Sequence, residues 1–554
     1  MKLPPKVNCA LLGFLATLNL ILRYPQTPHE TGVDSFFIHM LAVSISNDGR
    51  AAWILNPLSF FGLYPLSYPG ASPFLISDFS SISGVSIELS ILLLSTTLGV
   101  VGMLTAYLMG REMKADDFFA FSVAFLYSLA PKFLSFTMWT ASSRNLFMAL
   151  APIFVWAIIR AYRRRNLTST VLLVIFLGLL IATHRLAILL AVVAMAYLLS
   201  LAFLVLVRLL KLRFPKLFLS PTIRGRLSIV TLSAFAILAV SILFGTNVLG
   251  EYSQGELASG EDLQVKLLNL GASIGRSVGL ALPLAFLGVV VVTRERNTGA
   301  IQPFILLTLL LLIPTLFLRV YTGFYILPFL AIAGAFGILG LARRYEGRRF
   351  ATRVLIPLVF ATILLVSTAV EAYDAARTTS PDFATYNTAI YLRTNSDGTA
   401  VSNDGLLGIR IAAYSSTRYM PVGGAGTAFQ SPELLAFHFY SSGEVQARIV
   451  RLSLSDLTIE SDSLFDASGI QAEADWEGTM RTPFPNVSNS TLERYCPVYF
   501  LENEALPGLF TAYGNIYPSK FALSVHDGSY RIYDSGMQSL WFVYPSGQAS
   551  CRGP

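Results

Sequence analysis

From its start to about residue 372 the chain is a succession of apolar stretches almost free of charge, and the loops between them alternate between strongly basic and nearly uncharged. An α-helix needs roughly 20 apolar residues to cross a hydrocarbon layer about 30 Å thick. In that layer the backbone must satisfy its own hydrogen bonds, which long stretches of this kind do as helices. About eleven spans meet the length requirement, at 7–24, 86–110, 117–137, 144–161, 168–183, 186–207, 228–249, 277–293, 300–318, 323–342 and 354–372. The fifth and sixth form one apolar run broken at Thr183-His184-Arg185, which reads as a tight hairpin. A continuous helix there would bury Arg185 near mid-membrane at a cost of roughly 2.5 kcal/mol or more.

Composition agrees, because 54% hydrophobic and 13% charged residues is too apolar for a water-soluble chain of this length. The net charge of +7 does not point to nucleic acid. The cations sit in alternate short loops, such as Arg111 and Lys114, Arg160 with Arg163 to Arg165, and Arg343, Arg344, Arg348 and Arg349, which is the positive-inside pattern of a protein whose solvent is membrane lipid. Lys2 and Lys6 then put the N-terminus in the cytoplasm, and an odd number of spans leaves residues 25–85 and the tail from Tyr373 to Pro554 outside it. Cysteines introduced near 260 and 450 are expected to react with an impermeant thiol reagent on intact cells. Reaction near 164 or 347 instead would reverse the orientation.

Two domains follow: residues 1–372, a transmembrane domain with a long first external loop at 25–85, and residues 373–554, an extracytoplasmic α+β domain. In the tail, Phe383 to Thr394 has helical spacing, while Ala400–Ser402, Pro497–Leu501, Tyr530–Tyr533 and Leu540–Tyr544 read as strands rich in β-branched and aromatic residues. Cys496 and Cys551 lie on the oxidising side, where a disulfide between them is expected; two unrelated thiols are the alternative. Asn486-Val-Ser and Asn489-Ser-Thr are glycosylation sequons on the same side. The tail has no nucleotide-binding glycine loop and no His/Cys metal spacing.

The first external loop is where chemistry is to be sought. At about 60 residues it far exceeds an ordinary connection, and it is rich in aromatics and proline. Residues 34–46 have the apolar spacing of an interfacial helix, which would hold Asp34 at the membrane boundary. Asp34 ahead of Ser35-Phe36-Phe37 also fits a helix N-cap. His29, Glu30, His39 and Asp78 read as solvated loop residues, although Glu30 and Asp78 could join Asp34 around a divalent ion through oxygen.

With its first span, its acidic loop start, its long aromatic loop, its many-span body and its external C-terminal domain, the chain resembles the class C polytopic glycosyltransferases. These include the oligosaccharyltransferase catalytic subunits and the protein mannosyltransferases, and they use polyprenyl-phosphate-linked donors. Glu30-Thr-Gly-Val-Asp34-Ser-Phe-Phe is similar to the first-loop motif that carries the family's catalytic carboxylate. Tyr391-Leu-Arg-Thr-Asn-Ser-Asp-Gly-Thr-Ala-Val-Ser, Gly408-Ile-Arg and Pro421-Val-Gly-Gly look like the start of the external domain in archaeal and bacterial members. The resemblance implies a membrane transferase that moves a sugar from a polyprenyl-phosphate donor to an extracytoplasmic glycan, lipid or protein acceptor.

Departures from the pattern bear on the metal. Oligosaccharyltransferases carry a second acidic pair in the loop after the third span, where this chain has Trp139-Thr-Ala-Ser-Ser-Arg144-Asn, without a carboxylate. The WWD-type acceptor signature is also absent, Asp475-Trp476-Glu477-Gly478 being only a faint echo. A transferase without a cofactor is the expectation, with a divalent metal left open. Such a reaction needs a base for an acceptor hydroxyl and cations for the departing phosphate. Asp34 fits the first role. Arg319, Arg185 and His184 fit the second, since Arg binds phosphate bidentately, and Glu30 joins them on the substrate side. An Arg at a span end also snorkels to lipid headgroups without any further role. The alternative reading is a transporter or a cell-surface assembly scaffold on the same body, but the two related halves usual in transporters are not visible.

Overall fold

The computed structural model describes residues 4–48, 71–184, 187–213, 274–294, 299–316, 323–344, 380–395, 399–402, 405–420, 448–453, 458–463, 498–503 and 529–543, apart from 188 and 276, with 362, 370 and 373 as isolated positions. The span expected at 228–249, nearly all of that at 354–372, Cys496, Cys551, both sequons, Arg185 and Arg319 lie outside these residues.

Among the described residues the helices are α1 (Pro5–Leu22), α2 (Val33–Asp48), α3 (Ala71–Ser83), α4 (Ile87–Met113), α5 (Asp117–Ser128), α6 (Pro131–Ser135), α7 (Ser143–Arg164), α8 (Leu167–Thr183), α9 (Leu190–Arg213), α10 (Leu282–Arg294), α11 (Ile301–Leu316), α12 (Gly323–Arg344), α13 (Phe383–Asn395) and α14 (Gly405–Ser415). Stretches Pro5–Leu22, Ile87–Met113, Ser143–Arg164, Leu190–Leu209 and Phe324–Arg343 are long and apolar enough to cross a bilayer. This is a multi-pass membrane protein.

One compact unit comprises 1–26, 93–139 and 143–378. The apolar run at 168–207 is indeed interrupted: α8 stops at Thr183, His184 is extended (φ −156°, ψ 129°), and α9 begins at Leu190. The third expected span, 117–137, is not one helix. Asp116 caps α5 by accepting from the Phe119 amide, and α5 ends at Ser128 because Pro131 cannot donate to a continuing helix and instead opens α6 as its N1 residue. Every α5 residue from Phe118 to Ser128 is buried.

A polar clamp joins the end of α1 to α5 and to the segment that follows α6. Arg23 is 1% exposed, and its guanidinium donates to Thr137 Oγ1 (2.8 Å), Asn19 Oδ1 (2.7 Å), the Asn19 carbonyl (3.2 Å) and the Ser128 carbonyl (3.1 Å). Asn19 donates in turn to Ser128 Oγ at 3.0 Å. These are neutral acceptors, so the buried cation is stabilised by hydrogen bonds that leave few of its donors unmade. The clamp fits only because α4 has no side chain at Gly99, where a Cβ would collide with Arg23 Nε. Gly99→Ala should therefore displace the guanidinium and lower stability by about 1.5–3 kcal/mol, the worth of a hydrogen bond to a charged group. Thermal unfolding of the detergent-solubilised protein reads this directly. Adding Arg23→Met to Gly99→Ala should restore part of the loss; no restoration would show that the clash lies elsewhere.

The second unit comprises 27–92, 140–142 and 379–554. Its strands are β1 (Thr399–Ser402), β2 (Arg418–Met420), β3 (Arg448–Ser453), β4 (Thr458–Ser463), β5 (Val498–Asn503), β6 (Ser529–Asp534) and β7 (Gln538–Val543). A mixed sheet runs β2-β1-β5-β7-β6, parallel from β2 to β5 and antiparallel from β5 to β6, and β3 pairs with β4 separately. The tail is α+β, and α13 matches its expected bounds to within a residue.

Packing in this unit corrects the expectation for α2. Residues 35–42 are all buried, and Phe36, Phe37, Met40 and Leu41 share one hydrophobic core with Ala389 and Leu392 of α13, Leu407, Ile411 and Tyr414 of α14, and Tyr499, Leu501 and Leu540 of the sheet. The helix is a core element of the α+β unit and not an interfacial helix with one wet face.

Candidate functional site

The turn that leads into α2 is built by residues from the start of the first loop and from the segment between α6 and α7. Gly32 adopts φ +89°, a conformation that disfavours any side chain, and a Cβ there would also stand 2.8 Å from Thr140 Oγ1. Ser35 Oγ donates to Glu30 Oε2 at 2.5 Å and accepts from the Ala141 amide at 2.8 Å. His39, one turn further along α2, meets Glu30 Oε1 through Nδ1. Glu30 is fully buried, and Ser35 and His39 are nearly so.

The expectation that Glu30 and His39 are solvated is thus overturned, while His29 is half-buried and Asp78 is exposed as expected. Each buried residue has a partner, as buried polar groups require. Both Glu30 oxygens are engaged inside the protein, by Ser35 and His39. Glu30 thereby fixes the start of α2.

A second carboxylate–histidine pair lies beside the first. His29 Nδ1 is 3.0 Å from Glu88 Oε1, in the first turn of α4, and the His29 ring stacks on Tyr386 with centroids 3.9 Å apart. Tyr414 donates to the same Glu88 oxygen at 3.3 Å and packs edge-on against His29 and His39 at 5.6 and 5.4 Å. Burial, and then the charges of Glu30 and Glu88, push the Tyr414 phenol far above its ordinary value, so it remains a donor throughout the physiological range.

Asp34 stands in the first turn of α2, half-buried. The helix begins at Val33, so Asp34 lies inside the turn and not at the cap. A carboxylate in a first turn favours the helix through its dipole.

The bundle unit carries its own polar groups. His184 is buried at the end of α8, its ring 5.8 Å from that of Phe147. Sequence reasoning missed Lys132 and Arg144, which both lie over Phe136 and Phe324: Lys132 Nζ is 5.6 and 4.8 Å from those ring centroids, and the Arg144 guanidinium carbon 5.5 and 5.9 Å. A signal for them existed. They flank a loop that the charge bias assigns to the outside, where cations are scarce and so call for a reason.

The sequence matches no protein-family model and no curated protein. Solved structures do match. The crystal structure of the Archaeoglobus fulgidus oligosaccharyltransferase in complex with Zn and sulfate aligns with a TM-score of 0.51 at 16% identity, over 79% of this chain and 67% of that one. The archaeal oligosaccharyltransferase AglB from the same organism, in complex with an inhibitory peptide and a dolichol-phosphate, gives 0.50 at 14%, over 82% and 74%. ArnT from Cupriavidus metallidurans bound to undecaprenyl phosphate gives 0.50 at 12%, over 99% of this chain and 98% of that one. The chain is therefore a polytopic membrane protein carrying an α+β domain. More particularly, its fold is the one found in these oligosaccharyltransferase and ArnT structures.

Zinc is present in the first of those structures, so the donor set here bears directly on a metal. Glu30 spends both oxygens on Ser35 and His39. Among the described residues no three His, Cys, Asp or Glu side chains come close enough to hold an ion. The described residues do not fit a divalent metal, whose hard oxygen ligands must converge on one point.

Proposed function

We propose that the protein is a membrane glycosyltransferase that moves a sugar from a polyprenyl-phosphate-linked donor to an extracytoplasmic glycan, lipid or protein acceptor. Asp34 is the general base. It takes the proton of the acceptor hydroxyl as that oxygen attacks the anomeric carbon, and the bond from that carbon to the phosphate oxygen breaks to release polyprenyl phosphate. A base placed within hydrogen-bond reach of the hydroxyl contributes about 100- to 10,000-fold. His184, and on sequence grounds Arg185 and Arg319, serve the phosphate side, where positive charge stabilises the leaving group.

The observation that carries this reading is the buried Glu30–Ser35–His39 network. It fixes the turn bearing Asp34, and a carboxylate is worth such positioning when small displacements cost rate. That ArnT, which shares this fold over nearly its whole length, was solved with undecaprenyl phosphate supports the lipid carrier. No observation favours a transporter or a scaffold.

The test is sugar transfer by the purified protein in proteoliposomes, from a panel of polyprenyl-phosphate monosaccharides, with parent and Asp34→Asn compared. A parent that consumes none of the panel would end the proposal.

A further inference from the structure

Among the described residues, the end of α7 gathers more positive charge than the neighbouring carboxylates offset. Arg160, Arg163, Arg164 and Arg165 fall within six residues, at the close of a helix long and apolar enough to cross a bilayer. Arg160 and Arg163 share one carboxylate, that of Glu112 at the end of α4, at 3.4 and 3.3 Å. Arg111, in the last turn of α4, faces Asp117 at 3.7 Å. Arg164 closes α7 and Arg165 stands in the short turn to α8, and both are exposed. Like charges this close repel one another, which an anion seated beside them would offset.

The backbone at this turn is unusual for the residue it carries. Arg165 has φ +49°, the left-handed conformation that glycine adopts without cost and other residues do not, and its amide closes α7 by donating to the Ala161 carbonyl at 3.0 Å. Glycine is the ordinary residue at such a helix end. Here the side chain is an arginine whose guanidinium carbon lies 5.6 Å from the centre of the Tyr162 ring. Tyr162 is itself exposed and meets Tyr197 of α9 edge-on at 5.8 Å and 86°. Arg160 lies over Trp156 in the same way, at 4.8 Å. Cation–π contact orders long side chains that would otherwise sample many rotamers. A strained arginine with an ordered guanidinium points to a use outside the turn.

Position and surroundings select the anion. The end of a spanning helix lies at headgroup level, where aromatic rings also collect, and the arginine fork engages two phosphate oxygens at once. Directly after the turn, α8 leaves Leu167, Val171, Val174 and Ile175 exposed, a spacing that puts them on one helix face. Charge at the turn and an apolar face beside it match the two parts of a lipid, whereas a free phosphate would use only the first. We propose that Arg164 and Arg165, beside Tyr162, seat the phosphate of an anionic phospholipid from the surrounding leaflet, with its acyl chains along the exposed face of α8. Neither the glycosyl-transfer reading nor the orientation of the chain is needed for this seat.

Lipid binding tests it without any assay of transfer. The full-length detergent-solubilised protein is titrated with dioleoyl phosphatidylglycerol and, in parallel, with dioleoyl phosphatidylcholine, bound lipid being counted by native mass spectrometry and glycerol phosphate serving as a headgroup competitor. Arg164→Gln and Arg165→Gln should each weaken phosphatidylglycerol binding about 5-fold and together about 25-fold, the usual worth of basic residues at an anionic lipid surface. Added salt should weaken the parent's binding as well. Arg393→Gln, which removes an exposed cation of the α+β unit, should change nothing. Arg165→Gly separates the lipid from the fold: it relieves the left-handed turn, so the lipid-free protein should unfold at the parental temperature or above, yet affinity should fall as far as in Arg165→Gln.

Parental affinity in a folded Arg164→Gln, Arg165→Gln double variant overturns the seat, as does equal binding of phosphatidylcholine by the parent. An equal loss in Arg393→Gln would reduce the effect to net charge and overturn its location. Displacement by glycerol phosphate at equal concentration would make the ligand a free anion and overturn its assignment to a lipid. If the double variant loses phosphatidylglycerol while the parent transfers no sugar, the seat stands and the proposed reaction fails.

Discussion

Asp34→Asn should reduce sugar transfer by about 100-fold or more while leaving the protein folded. Asparagine matches aspartate in size and keeps an oxygen acceptor, but it cannot take a proton, so the change removes the base and little else. The core that holds α2 is apolar. α2 is held by Phe36, Phe37, Met40 and Leu41 in the core of the α+β unit, and its first turn by the contacts of Ser35 with Glu30 and Ala141. Any contribution of Asp34 to the helix dipole is worth only about 0.3–1 kcal/mol, too little to unfold the unit. Transfer from a polyprenyl-phosphate sugar and thermal unfolding, measured on the same preparations, separate the two effects. Parental transfer by Asp34→Asn would remove the aspartate from the reaction. Asp34→Glu is the informative companion, since it keeps the proton chemistry and moves it by one methylene, and it should retain more activity than the asparagine.

The bundle was largely legible in the sequence because the signal there is thermodynamic and local: an apolar run either spans or it does not, and the break at Thr183-His184 shows in the residues themselves. The strands around Leu501, Tyr530 and Leu540 and the helix from Phe383 were legible for a similar reason, since alternation and helical spacing act within a few residues. What the sequence could not show was what an apolar face packs against. The spacing of residues 34–46 is the same whether α2 lies on a membrane or inside a domain whose sheet and remaining core helices come from beyond residue 379, and periodicity gives the face without the partner. The buried pairs were hidden for that reason too. His29 meets Glu88 and Ser35 meets the Ala141 amide across long sequence separations, so residues that look like polar loop turn out to be interior. Lys132 escaped notice because it fell inside an expected span that the structure divides at Pro131.

Glu30→Ala should destabilise the α+β unit by about 3–5 kcal/mol, the usual cost of removing one member of a buried charged or hydrogen-bonded pair. Ser35 and His39 would each lose an acceptor in a region with no access to water, and unmade buried hydrogen bonds are penalised more heavily than made ones are rewarded. Glu30→Gln should be milder. Its amide keeps one oxygen for Ser35 but offers His39 an NH2 group in place of the second oxygen, so His39 must present an acceptor nitrogen or turn away. Both variants should lower transfer, because the turn that bears Asp34 loosens, and neither should alter the affinity for undecaprenyl phosphate. That division of effects is what distinguishes an anchor from a ligand. Were Glu30 a ligand for substrate or metal, the alanine would change lipid affinity or its dependence on divalent ions before it changed stability. Unfolding temperature, transfer rate and lipid affinity measured on the same two variants decide between these orders. Unchanged stability in Glu30→Ala would mean that the network is not what holds α2 in place.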